Sequence, residues 1–169
     1  MARKPNGRPR TASRVAAVQA LFQSEQAGEP AETVIQQFIR HRLGALPGPE
    51  HAGGGGFEEG RVPEAQVELF QDVVRTAVQQ QDRLDSLFAA ALPPDWTLTR
   101  LDPVLRALIR CAGAELTLPG GPPARVVITE YLDIAHGFFT GEEPRMVNGL
   151  LDRLARDLRP GEFETATTA

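Results

Sequence analysis

Cysteine is nearly missing from this chain of 169 residues. Cys111 stands alone, which excludes an internal disulfide framework and suits a reducing compartment. Lysine is just as scarce: Lys4 is the only one, so 17 of the 18 basic residues are arginine. An arginine at a given position is therefore no sign of selection for bidentate phosphate binding. No apolar run approaches the roughly 18 residues of a membrane span, and the basic N-terminus lacks the apolar region of a secretory signal. A soluble, cytoplasmic protein is expected.

Reactive groups are also thin on the ground. His41, His51 and His136 lie far apart, and no His/Cys/carboxylate set has metal-ligand spacing. Cys111 falls beside the apolar face of a helical stretch, where a buried structural thiol is the better reading than a nucleophile. Glu130 and Asp133 share a helix face, which a solvated surface explains. Gly53 to Gly56 form no phosphate loop, because no Gly-Lys-Ser/Thr follows and no strand precedes. The sequence thus indicates no catalysis, no metal, no cofactor and no small-molecule substrate.

What the chain does have is segregated charge. The net charge is −4, yet Arg3, Lys4, Arg8, Arg10 and Arg14 all precede the first acid, Glu25. After these five, 13 basic residues face 22 acidic ones, a balance of −9. A basic arm on an acidic body points either to a local polyanion contact or to a solvated tail, and not to a protein that coats DNA. Residues 1–11, with Pro5, Gly7 and Pro9 among the cations, read as a disordered arm.

About six helices and no strands follow from the apolar periodicity, giving an all-α class. Ser13 is expected to cap a first helix running to about Gln26, which Gly28 and Pro30 end. A second runs from about Ala31 to Leu43. Residues 44–63 hold seven glycines and three prolines and read as a flexible loop. One long helix is expected from Glu64 to about Leu92, with a polar bend available at Gln79-Gln80-Gln81. Pro93-Pro94 stops it, and Trp96 opens a loop. Asp102-Pro103 starts the next helix as cap and first residue. Residues 122–159 then form a hairpin of two amphipathic helices, turning at Phe139-Thr140-Gly141, with Pro144 opening the second. Gly149 inside that last helix suggests a close helix crossing there. Residues 160–169 read as a frayed tail.

Three segments carry a resemblance. RMVNGLLDRLA at 145–155, LDPVLRALIRCAGAEL at 101–116 and RVAAVQALFQSE at 14–25 resemble, in order, the last, fourth and first helical signatures of the NusB family of bacterial antitermination factors. The resemblance implies two packed small helical bundles over residues 12–159. It implies binding of single-stranded boxA RNA in nascent ribosomal leaders, together with the ribosomal protein that doubles as NusE, so that RNA polymerase reads through terminators. The positions it assigns to RNA are the arm (Arg3, Lys4, Arg8, Arg10, Arg14), Phe22, which serves either core or stacking, and Glu142, Arg145 and Met146 at the last turn. Departures occur where RNA contacts are expected. Met146 stands where members often have an aromatic, Ala114 stands where many have a tyrosine, and Thr11, Ala12 and Ser13 stand where others place arginines. A NusB-like domain of a ribosomal RNA methyltransferase is the alternative, although no glycine-rich cofactor loop follows. A helix-turn-helix DNA reader fits less well, since Glu142-Glu143 opens its second helix.

Overall fold

The computed structural model describes residues 8–43 and 65–164, which fold into seven α-helices and two 3-10 turns with no β-strand. The helices are α1 (Arg8–Ala27), α2 (Ala31–His41), α3 (Val67–Gln79), α4 (Gln81–Ala91), α5 (Pro103–Thr117), α6 (Ala124–Phe138) and α7 (Glu143–Leu158). The expected all-α class stands. The seventh helix comes from Gln80, whose φ of −98° and ψ of 9° interrupt what the sequence suggested was one long helix. The break is local, because Gln80 N–H still donates to Thr76 O and Gln80 O still accepts from Leu84 N–H. The chain divides into two compact units between Arg75 and Thr76, inside α3.

In the first unit, α1 begins at Arg8, four residues before the expected helical domain. Ser13 is not its cap but a buried residue within it. The Ser13 hydroxyl accepts from Gln66 N–H at 2.7 Å and lies 2.9 Å from Gln66 O and 2.8 Å from Pro9 O, so it pins the residue just before α3. The left-handed backbone of Gly28, φ 66°, then turns the chain out of α1. Val18, Leu21, Val34, Ile35, Phe38 and Phe70 are buried, and the Phe38 and Phe70 rings stack with centroids 5.6 Å apart. Arg75 clamps Glu32 through two bonds of 2.6 and 3.0 Å. That hydrogen bond lowers the Glu32 carboxyl pKa below its ordinary value and raises that of Arg75.

The second unit is built on α5. Asp102 caps it by accepting from Val104 N–H at 2.8 Å, with Pro103 in the first turn, as the sequence indicated. Every residue from Ala107 to Leu116 is buried, so α5 is covered all round and the Cys111 side chain is buried with it. Two polar groups go down with it. Arg110 makes a two-pronged pair with Asp85 of α4 at 3.0 and 2.8 Å. Glu115 accepts from the Tyr131 hydroxyl of α6 at 3.0 Å.

The close approach expected at Gly149 occurs instead at Gly113. A Cβ on Gly113 would stand 2.9 Å from Leu84 Cδ2, 3.1 Å from Phe88 Cζ and 3.3 Å from Leu154 Cδ2, whereas one on Gly149 would meet nothing within 4 Å. The difference is position: Gly113 lies on a helix that is enclosed on every side, and Gly149 lies on the exposed face of α7.

The chain after α7 is ordered through Glu164 rather than frayed from residue 160; residues 165–169 lie outside the described residues. Arg159 donates to Leu116 O and Pro122 O at 2.8 Å and to Glu115 O at 3.3 Å, so it reaches the last turn of α5 and the connection that leads into α6. Glu162 accepts from Ala124 N–H at 3.0 Å, at the start of α6. That backbone bond, with Arg159 beside it, holds the Glu162 carboxyl below its ordinary pKa. The Phe163 ring lies under the guanidinium groups of Arg156 at 4.7 Å and Arg125 at 5.8 Å.

Candidate nucleic-acid interface

Of the arm residues, Arg3 and Lys4 lie outside the described residues, while Arg8 opens α1. Arg10, in the first turn, is exposed. Arg14 is not: it is only 2% exposed. The reason is helical arithmetic, since Arg14 shares a face with Ala17, Val18 and Leu21, all of them buried. A side chain so covered presents little surface to solvent. Phe22 is half-buried, between the two roles left open for it. Beside it in sequence, Gln23 donates to Gln37 at 3.2 Å across a cleft of about 300 Å³ that His41 and Arg42 also line. Arg42 lies over the Phe38 ring at 4.9 Å.

The second unit brings Glu142, Arg145 and Met146 together on one cleft of about 460 Å³. Pro144 sets α7 going, so residues 145, 146 and 149 fall within its first two turns, next to the chain that leaves α4. Arg145 is exposed, whereas Met146 is only 7% exposed and forms floor rather than rim. Among the described residues, neither the Glu142 carboxylate nor the Arg145 guanidinium has a hydrogen-bond or ion-pair partner. The cleft therefore offers one acceptor and one donor over an apolar base. Its other wall contains Trp96, which sequence reasoning set aside as a loop residue. One signal was available: the only tryptophan of the chain follows Pro93-Pro94, off any helical face.

Among the described residues, no group of three His, Cys, Asp or Glu is placed to hold a metal ion, and no helix is long and apolar enough to cross a membrane.

An all-helical protein of two small bundles, with an exposed cation at the head of its first helix and a mixed-charge cleft at the head of its last, is the class this defines. The chain belongs to the NusB family, whose model matches residues 11–156. It is 65% identical to the transcription antitermination protein NusB of Granulibacter bethesdensis over 92% of this chain and 93% of that one. It is 50% identical to the protein of the same name from Gluconobacter oxydans, over 93% and 92%. A solved structure of NusB from T. maritima is similar with a TM-score of 0.70 at 28% identity, covering 93% of this chain and 98% of that one.

Proposed function

We propose that this protein is a transcription antitermination factor of the cytoplasm that binds boxA-type single-stranded RNA of nascent ribosomal transcripts jointly with NusE. The observation that carries the reading is family membership over residues 11–156, the span that contains the cleft at the head of α7 and begins just after the basic arm. Arg3, Lys4, Arg8 and Arg10 meet phosphates, and Glu142, Arg145 and Met146 meet a base and its backbone. The work is assembly rather than chemistry, with no cofactor. Two modest RNA affinities, one from each protein, combine into one stronger composite site that RNA polymerase carries through terminators. A basic ribosomal partner suits a body whose charge is −9 after the arm.

A gel shift decides between this reading and its rivals. With NusE present, boxA-like RNA is expected to be retarded at lower protein concentrations than scrambled RNA or duplex DNA. Equal retardation of all three would leave only nonspecific charge, and preference for the duplex would make the protein a DNA binder.

A further inference from the structure

The cleft at the head of α7 has a feature that its match to the family pattern does not account for. Met146, standing where an aromatic ring is usual, is almost wholly buried and is a poor stacking surface. Trp96 faces the same space. Its position is fixed by a tight turn after α4, in which Trp96 N–H donates to Pro93 O at 2.9 Å. The side chain is half-buried, and among the described residues its indole N–H has no hydrogen-bond partner. Gly149 leaves the far wall open, since a Cβ there would meet nothing within 4 Å. An indole in the wall, an apolar floor, an unspent acceptor and an unspent donor together match one chemical class, an unpaired nucleobase with its flanking phosphate. The faces of a base are apolar and its edge carries both donors and acceptors.

We propose that Trp96 is the base-stacking residue of this cleft: one unpaired base of the bound RNA lies on its indole, with Arg145 at the adjoining phosphate and Glu142 at the base edge. The inference rests on the RNA-binding reading given above. It replaces the aromatic missing at Met146 with one supplied from the other wall.

The chain reports on itself here, because Trp96 is its only tryptophan. Indole fluorescence of the full chain is followed while boxA-like RNA is titrated with NusE present at a fixed concentration. Binding is measured independently by anisotropy of end-labelled RNA, and the NusE signal is subtracted from a control titration. Quenching of Trp96 is expected in step with binding. It should diminish for the member of a single-abasic RNA series that lacks the stacked base. Trp96→Ala should weaken binding by about 5- to 150-fold, the span of base–aromatic stacking, while Trp96→Phe retains most of the affinity. Thermal melts confirm that both variants fold, and the wild-type fluorescence result stands without them. Binding with unquenched Trp96, or quenching that no abasic position relieves, would overturn the stacking role and leave RNA binding intact. Trp96→Ala binding as wild type would do the same. No binding to any RNA would overturn both readings. Quenching by an apolar peptide but not by RNA would assign the cleft to a protein partner instead.

Discussion

Gly113 of α5 and Gly149 of α7 have opposite surroundings, and one substitution separates them. Leucine at 113 must enter a space already filled by Leu84, Phe88 and Leu154. Overpacking of this kind costs about 1–3 kcal/mol, against which the helix gains roughly 0.8 kcal/mol on losing a glycine. Gly113→Leu is therefore expected to lower the melting temperature. Gly149→Leu, with open space around it, is expected to hold or raise it. Paired thermal melts check this, and a matching loss in both would mean that Gly149 too is enclosed. Tyr131→Phe tests the other buried device. Removing the hydroxyl takes a hydrogen bond from Glu115, which is 1% exposed. A denaturant titration should show a loss of about 1–3 kcal/mol, the penalty for a buried group that loses a bond. Sequence marked both α5 and α7 as helices with internal glycines, but which glycine is crowded depends on neighbours from other helices, and periodicity does not reveal those.

The turn from Pro160 to Glu162 behaves as a clasp rather than a tail, joining the ends of α5, α6 and α7 through Arg159 and Glu162. Because the folded-state pKa of Glu162 is depressed below the usual 4.5, its contribution is present above that value and fades as pH falls through the folded pKa. Wild type should thus melt above Glu162→Gln at about pH 7, with the gap closing as pH falls below the ordinary carboxyl pKa of 4.5 and through the lowered folded value. A gap independent of pH would show that the carboxylate is not the group involved. This element illustrates what the chain made legible. Asp102-Pro103 and Pro144 announced helix starts because capping is local chemistry, and the apolar periods marked the helical stretches while reading α3 and α4 as one. The clasp and the pinning of Gln66 by Ser13 were not legible, whereas the break at Gln80 falls within the polar bend marked at Gln79-Gln80-Gln81. The first two join residues about 40 to 50 positions apart, as in the Arg159 and Ser13 bonds. At the candidate site, family pattern gave Glu142, Arg145 and Met146, but Trp96 emerged only when the turn after α4 came to rest against α7.

At the scale of the whole molecule, a basic arm precedes an acidic body. Replacing Arg3, Lys4, Arg8 and Arg10 with glutamine preserves the first turn of α1, which a deletion would cut. If all four meet phosphates of single-stranded RNA, the log–log salt slope of binding should shrink by up to roughly 3, at about 0.7 per contact; an unchanged slope would reduce the arm to a solvated tail. An acidic body should bind RNA weakly unaided, and a basic partner beside it should supply the missing cations. The central claim is that RNA and NusE share one composite site, so each must tighten the other by the same factor. Calorimetric titration of NusE into this protein, with and without saturating boxA RNA, measures that factor directly. An affinity gain of about 5- to 150-fold with RNA present is predicted, and equal affinities in the two titrations would contradict the composite site.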